Sequence, residues 1–406
     1  MKIQQIRNAT LKVTYQDKLF LIDPMFAPKD SFPPFPESYT PNATWPFSNL
    51  PLSIDEIIKD VDAVIVTHYH FDHIDEYAIK VLPKDILIFV QDEYDKEMLQ
   101  QFGFNNIEIM SVDGTTLGNV VMYKTSCLHG DKVKSKPYYE AYKLRSNAMG
   151  VVFTGKDEQR LYLVGDTIFF DGVKEAIDKF SPYVAIINCA GAQFRGSGPI
   201  IMDTDDVLAL HEYQPNLRIV ASHLDAVGHA TVSRNDLKQF IYDKNIEDSV
   251  LIPEDGEYVE FPAYTEVMHN KAVARKLYAL LNLKQYDEAA KLFHPDFVYY
   301  PQPDIKLEGV QKFMDMERAN MDPCGDYKMR TKFIIAEDDR VAVYLTFEGT
   351  LLGENWLGLK ANNKHMMLDF MCMLRFKDGK IIEKRSKYDK YYILKKLAVD
   401  NLPPLY

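Results

Sequence analysis

Thr67-His68-Tyr69-His70-Phe71-Asp72-His73 follows directly on a run of small and β-branched residues, Val61 to Val66. Three histidines and one aspartate thus fall within six positions, at H-x-H-x-D-H spacing. Imidazole and carboxylate are the ligands that hold a borderline divalent cation at neutral pH. Crowded together at the mouth of a strand, they predict a site for one or two metal ions. The plainer reading is a polar turn in which Asp72 caps a helix beginning near Ile74. That reading uses one of the four residues and leaves three histidines unexplained. Metal-dependent hydrolysis is therefore the expected chemistry.

Further ligands are sought where a single His or Asp closes a strand ahead of a turn. His129 ends the strand-like run Val120 to Cys127 and precedes Gly130, Asp166 follows Leu161-Tyr-Leu-Val-Gly165, and His223 follows Arg218-Ile-Val-Ala-Ser222. Each alone is an ordinary turn or core residue. As a set they follow the metallo-β-lactamase order, H-x-H-x-D-H and then His, Asp and His. Residues 1–262 resemble that superfamily, and within it the branch containing L-ascorbate-6-phosphate lactonase. The strand Leu19-Phe-Leu-Ile-Asp23-Pro24 and the segment Ile252-Pro-Glu-Asp-Gly256-Glu257 suit the same branch.

The resemblance implies that His68, His70 and His129 hold one metal, that Asp72, His73 and His223 hold a second, and that Asp166 bridges them. It implies two divalent ions, zinc first, with manganese, iron(II) or cobalt compatible with all-N/O ligation. Two such ions lower the pKa of a shared water and polarise a carbonyl or phosphoryl oxygen, so a bridging hydroxide needs no side-chain nucleophile beside it. Asp72 is the expected catalytic residue, taking a proton from the attacking water or passing it to the leaving group. Redox members of the superfamily carry a carboxylate in place of the second motif histidine, so His70 favours hydrolysis.

Length and composition bound the rest. A chain of 406 residues suits two domains, and 47% hydrophobic with 26% charged residues is an ordinary globular mixture. The four cysteines, Cys127, Cys189, Cys324 and Cys372, are scattered and form no C-x-x-C pair, which indicates neither a disulfide framework nor a zinc ribbon. Cys127 reads as a buried free thiol. The start, Met1-Lys-Ile-Gln-Gln-Ile-Arg-Asn8, lacks an apolar signal-peptide core, and no apolar run reaches membrane-spanning length; a soluble, cytoplasmic protein without a membrane partner is expected. Residues 263–406 hold 23 Lys and Arg against 20 Asp and Glu, which leaves 24 against 39 for residues 1–262. A metal-binding domain this acidic repels polyphosphate backbones, so the nuclease chemistry known in the superfamily, and any nucleic-acid partner, are disfavoured.

Two loops are candidate walls of the site. The stretch between Asp23 and the helix-like Ile54 to Lys59 carries eight prolines (Pro24, Pro28, Pro33, Pro34, Pro36, Pro41, Pro46 and Pro51), interleaved with Phe26, Phe32, Phe35, Tyr39, Trp45 and Phe47. A loop of this length is functional or disordered, and its aromatic content argues for function. The glycine-rich segment Asn188 to Gly198 includes Arg195, a candidate for meeting an anionic substrate group. His229, in Gly228-His229-Ala230, is a candidate for the same cleft. His211, His269, His294 and His365 have no metal-type context.

The elements that must position these residues read as short β-rich runs alternating with helices at Asp92–Phe102, Val173–Phe180, Thr204–His211 and Arg234–Lys244. Early hairpins followed by strand–helix alternation suit two sheets between helices, an αββα four-layer sandwich. Residues 266–406 form a separate unit: a helix interrupted near Leu283 to Tyr286, a strand from His294, a helix at Val310–Asn320, and long strands at Tyr327–Ala336, Arg340–Gly349, Met366–Phe376 and Ile381–Lys387. This predicts an α+β cone with a curved antiparallel sheet.

The second unit resembles the SnoaL-like polyketide cyclase group, through Gly309, Glu348-Gly349-Thr350 and Arg375-Phe-Lys-Asp-Gly379-Lys-Ile381-Ile-Glu383 ahead of Tyr388-Asp389-Lys390. Asp389 falls where those cyclases keep an acid/base aspartate, whereas Arg385 stands where a tryptophan is usual. The resemblance implies a ligand-binding or dimerising module more readily than a second enzyme. The run Met366 to Leu374 has almost no polar alternation, which predicts burial on both faces and a homodimer through the outer face of the sheet. The expected whole is a dinuclear hydrolase of a small-molecule ester, lactone or phosphodiester. Its rival is a metal-bound but catalytically silent ligand-binding protein.

Overall fold

A computed structural model of the chain describes residues 1–35, 37–352, 363–389 and 392. The chain divides into two compact units, Met1–Ala263 and Tyr264–Tyr406.

In the first unit the strands are β1 (Lys2–Arg7), β2 (Thr10–Tyr15), β3 (Lys18–Ile22), β4 (Ala63–Ile65), β5 (Leu87–Val90), β6 (Ile107–Ile109), β7 (Thr115–Leu117), β8 (Val120–Ser126), β9 (Met149–Gly155), β10 (Leu161–Leu163), β11 (Val184–Asn188), β12 (Gln193–Phe194), β13 (Gly198–Pro199), β14 (Arg218–Ser222), β15 (Val250–Leu251) and β16 (Tyr258–Glu260). One seven-stranded sheet runs β16-β1-β2-β3-β4-β5-β6 and a second runs β15-β14-β11-β10-β9-β8-β7. Their inner faces share a core in which Ile3, Val13, Phe20 and Ile65 meet Met122, Val151, Phe153 and Ile186.

Helices cover both outer faces. Ile6, Val64 and Ile88 pack against α1 (Ile54–Ile58), α2 (Glu76–Val81) and α3 (Glu93–Gln100), and Ala185, Ile187 and Ile219 pack against α5 (Asp171–Phe180), α6 (Thr204–Tyr213) and α7 (Arg234–Lys244). Central strands are therefore buried on both sides, and β11 reads as an unbroken apolar run: Val184 and Ile186 point to the inter-sheet core, Ala185 and Ile187 to the helices. The four-layer sandwich is the metallo-β-lactamase fold. A further helix, α4 (Lys136–Tyr142), lies in the connection between β8 and β9. Among the described residues, no helix is long and apolar enough to cross a membrane.

The second unit has helices α8 (Glu266–Asn282), α9 (Tyr286–Ala290) and α10 (Val310–Met321) with strands β17 (Phe293–Gln302), β18 (Ile305–Glu308), β19 (Lys328–Glu337), β20 (Arg340–Thr350), β21 (His365–Lys377) and β22 (Lys380–Tyr388). The sheet order is β18-β17-β22-β21-β20-β19, antiparallel except for the β17–β22 pair. Asp378 and Gly379 turn β21 into β22 with φ of 52° and 72°, the paired left-handed conformation of a tight hairpin. One face of the sheet packs on Leu277, Tyr278 and Leu281 of α8 and Phe313 and Met314 of α10. Within the single chain β21 buries one face only: Met367, Met371 and Met373 are exposed, while Met366, Cys372 and Leu374 on alternate positions are buried. A polar cluster interrupts the apolar interior, where the Lys384 ammonium sits 3.2 Å from the Glu317 carboxylate and 4.6 Å from the centre of the Phe313 ring.

Candidate metal centre

The candidate ligands converge because strands of both sheets end along one edge. β4 delivers His68 to His73, β8 His129, β10 Asp166 and β14 His223. Asp75, not Asp72, caps α2, accepting from the Ala78 N–H at 2.7 Å. Asp72 is thereby free to face the cleft. Asp166 is reached through Gly165 at φ +76°, where a Cβ would stand 2.4 Å from the Met149 carbonyl oxygen, so no other residue fits. His223 itself lies at φ +65°, the kind of backbone strain that concentrates at functional sites.

Seven side chains gather here, all buried. Ligand atoms of His68, His70 and His129 lie within 4.8 Å of one another, as do those of Asp72, His73 and His223 and those of His68, His73 and Asp166. Asp166 Oδ2 is 3.8 Å from His68, 3.2 Å from His73 and 3.6 Å from His129. It therefore neighbours histidines of both groups. Asp72 Oδ2 stands 3.2 Å from His223 Nε2.

Acceptors around the rim orient four of the five rings. His70 Nε2–H donates to the Arg145 carbonyl at 2.7 Å, His129 Nδ1–H to the Ile200 carbonyl at 2.7 Å, and His73 Nδ1–H to Asp23 at 2.8 Å. The Thr67 hydroxyl gives its proton to Asp23 at 2.8 Å and so accepts from His68 Nδ1–H at 3.1 Å. His68, His70 and His129 thus turn an unprotonated nitrogen inward, and His68 Nε2 and His70 Nδ1 face each other at 3.0 Å. Lone pairs at that separation repel unless a cation stands before them. The donor set fits a metal.

The electrostatics agree. Burial holds the His68 pKa well below the imidazole value and brings His70 to about 3, with neighbouring histidines adding to the shift. Burial opposes charge on His73 too, but Asp166, Asp23 and Asp72 together hold its pKa well above the usual value. Burial likewise opposes ionisation of Asp72 and Asp166, and His73 with His223 outweighs it, so both stay carboxylates. The carboxylates create the demand for positive charge at this place.

The centre opens into a cleft that His70, Asp72, His129 and Asp166 share with Phe35, Trp45, Phe71, Tyr138, Tyr139, Tyr142, Leu144, Phe194, Ile200 and His229. No Lys or Arg is among these residues. The tyrosine hydroxyls are engaged: Tyr139 donates to the His129 carbonyl at 2.8 Å, Tyr138 to the Arg195 carbonyl and Tyr142 to the Glu37 carboxylate. His229 lies parallel to Phe194 at 9°, its Nδ1 is buried without a hydrogen-bond partner among the described residues, and burial lowers its pKa to about 4, so it is neutral at pH 7.

Several sequence expectations are relocated. His229 does reach the cleft. Arg195 does not: its side chain is exposed, and its segment supplies Phe194 to the wall instead. Of the proline-rich loop, Phe35 and Trp45 line the cleft. Cys127 donates its thiol hydrogen to the Val164 carbonyl at 3.3 Å, and burial raises its pKa, as befits a free thiol. Asp389 is exposed at the end of β22 and accepts from the Tyr392 N–H at 2.9 Å; Lys390 beside it is outside the described residues. The sequence reading gave no role to Asp23, Asn188, which donates to Asp166 at 2.7 Å, or Asn8, which donates to the Asp72 carbonyl at 2.9 Å. It also missed α4, although Ser135 followed by a proline in the first turn is a helix-start signal.

Known proteins resemble this chain in sequence and fold. The sequence model of the Beta-lactamase superfamily domain matches residues 19–224, and that of the SnoaL-like polyketide cyclase matches residues 271–397. The UPF0173 protein YddR of Bacillus subtilis (strain 168) is 40% identical over 261 residues, 64% of this chain and 100% of that protein. A solved "possible metal-dependent hydrolase" from Veillonella parvula DSM 2008 is 39% identical, with a TM-score of 0.62 over 64% of this chain and 99% of its own. An isothiocyanate hydrolase from Delia radicum gut bacteria is 38% identical, with a TM-score of 0.62 over 65% of this chain and 100% of its own. The chain belongs to the beta-lactamase superfamily as a metal-dependent hydrolase, and it carries a SnoaL-like domain after the catalytic one.

Proposed function

We propose that the chain hydrolyses a small, uncharged, apolar substrate at an electrophilic carbon, using a dinuclear centre. His68, His70 and His129 would hold one divalent ion and Asp72, His73 and His223 the other, with Asp166 available to both groups. Bound there, the two ions supply a water acidified toward neutrality and polarisation of the substrate's electrophile. Asp72, at the junction of centre and cleft, takes a proton from that water and returns it to the leaving atom. The rings of the wall exclude bulk water and orient the apolar group.

The observation that carries the substrate class is the wall without a cation. A phosphodiester, one of the three substrates the sequence left open, brings a negative charge that Lys or Arg would ordinarily meet. Esters and lactones remain. The 38% identical isothiocyanate hydrolase adds a substrate of the same description, neutral, compact and electrophilic at carbon. For an isothiocyanate the balance is simple: water oxygen joins the central carbon, the carbon–nitrogen bond breaks, and both water protons reach nitrogen. The products are a primary amine and carbonyl sulfide.

The test is turnover by the full chain loaded with zinc or with manganese, on benzyl isothiocyanate, phenyl acetate, an aliphatic lactone and bis(p-nitrophenyl) phosphate. The uncharged substrates are expected to turn over at least about a hundredfold faster than the diester, a factor within reach of one missing charge-assisted contact. No turnover of any uncharged substrate with either metal would favour the silent ligand-binding reading. Mass spectrometry of reconstituted protein is expected to find two ions per chain, and fewer than one would end the dinuclear assignment. For the SnoaL-like domain we propose a dimerising role, supported by the apolar face that β19 and β21 expose.

A further inference from the structure

Three of the rings that line the cleft come from segments far apart in sequence. Phe35 comes from the proline-rich loop, Tyr142 from the last residue of α4, and Phe194 from β12. Phe35 meets Tyr142 edge-on with centroids 5.8 Å apart, and meets Phe194 at 6.0 Å. Tyr142 and Phe194 lie face to face at 5.5 Å and 23°. Each ring therefore touches the other two.

Polar bonds fasten the same three segments on the outer side. The Tyr142 hydroxyl donates to the Glu37 carboxylate, the Arg195 N–H donates to the Glu37 carbonyl at 2.9 Å, and the Tyr138 hydroxyl donates to the Arg195 carbonyl. On either side of Glu37 the loop is anchored elsewhere. Trp45 stacks on Phe35 at 5.2 Å, the Thr40 hydroxyl donates to the Gly228 carbonyl, and the Phe47 N–H donates to the Ala226 carbonyl at 3.0 Å. Glu37 thus sits where the loop, α4 and the glycine-rich segment meet, with one bond to each of the other two.

We propose that the Phe35–Tyr142–Phe194 triad, fastened by Glu37, is a size gate that admits substrates whose non-reacting group is a single ring or a short chain and excludes fused rings. This rests on the hydrolase reading above. With the Tyr142 hydroxyl spent on Glu37, the triad itself offers the cleft ring surface and no polar group, so its selection is by shape. Close-packed rings yield little without losing contacts, and a substrate too large must break the fastening to enter.

The gate is tested on the full chain loaded with metal, comparing benzyl with 1-naphthylmethyl isothiocyanate. Wild type is expected to favour the benzyl compound at least tenfold in kcat/KM. Tyr142→Phe keeps the ring and removes the fastening bond; it and Glu37→Ala are expected to shrink that preference at least fivefold. Phe194→Ala is expected to shrink it further, and Tyr142→Phe decides the matter if Phe194→Ala does not fold. An unchanged ratio in Tyr142→Phe and Glu37→Ala, or no preference in wild type, overturns the gate.

Absence of turnover would count against the hydrolase reading and not against the gate, which has a second readout. N-benzylacetamide and N-(1-naphthylmethyl)acetamide are inert, and their binding can be followed by quenching of Trp45 beside Phe35. The same ordering is expected in Kd, tight for benzyl and weak for naphthylmethyl in wild type, with the gap narrowing in the variants. Equal gaps in wild type and variants would overturn the proposal even in an active enzyme.

Discussion

Asp23 contributes none of the converging ligand atoms, yet it governs rings in both groups. Its Oδ2 takes the His73 Nδ1–H at 2.8 Å and the Thr67 hydroxyl at 2.8 Å, and through Thr67 it fixes His68; its Oδ1 takes the Thr67 N–H at 2.7 Å. One carboxylate thus decides which nitrogen two histidines present. Asp23→Asn is expected to weaken binding at both metals by about 10–100-fold, the usual effect of removing such a supporting group. Competition with a fluorescent chelator measures this, and full affinity at both sites would show that the rings hold their tautomers unaided. Asp166→Ala removes the shared carboxylate and is expected to leave at most one ion per chain and to cut turnover by at least about a hundredfold, beyond the effect of a supporting group. Two ions retained, counted by mass spectrometry in a variant whose circular dichroism is unchanged, would contradict the sharing. The ligand candidates were legible because lone polar residues at strand ends have few structural uses. The role of Asp23 was not, since its partners Thr67 and His73 are 44 and 50 residues away and only the parallel pairing of β3 with β4 brings them together.

At the scale of elements, the proline-rich loop is a fixed wall because Arg7 is buried beneath it. The guanidinium donates to the carbonyls of Ser48 at 2.8 Å, Met25 at 3.0 Å and Ala27 at 2.8 Å. Burial lowers its pKa to about 10, which leaves it charged at neutral pH. Arg7→Met fills much of the volume but strands three carbonyls, at a cost of about 2–4 kcal/mol after partial rescue by water. Urea unfolding of the first transition measures it, and a loss below about 1 kcal/mol would mean the loop holds itself. The loop's place at the cleft was legible from its aromatics. Its anchoring was not, because a lone arginine in an amino-terminal strand carries no sign of what it will hold. The same limit explains Arg195, whose charge suggested a substrate contact while it is its neighbour Phe194 that lines the cleft. α4 has seven residues and three tyrosines, too short for periodicity to reveal and too aromatic for propensity to favour. Its face toward the cleft is a product of tertiary packing.

For the whole molecule, the question is what covers the outer face of the second sheet. The register places Phe333, Tyr344 and Met371 in one cross-strand row and Ile335, Ala342 and Met373 in the next, all on that face. Phe333 is 46%, Ile335 61%, Met371 47% and Met373 41% exposed. A contiguous apolar patch of this kind marks a contact surface. The run Met366 to Leu374 presents apolar side chains on both faces, and the single chain buries only one of them. A twofold pair of such sheets is self-complementary, since each row can lie against its own copy. Charge points to the same surface: residues 1–262 carry 24 Lys and Arg against 39 Asp and Glu and repel their copies, whereas residues 263–406 carry 23 against 20. The full chain is expected to scatter light as a dimer, with a melting temperature that rises with concentration. Met371→Glu combined with Ile335→Glu places four carboxylates across the twofold contact and is expected to give a folded monomer that still turns over substrate, as these side chains are remote in function from the metal centre. A wild type that remains monomeric, or a dimer that survives both glutamates, would mean the methionine face serves some other end.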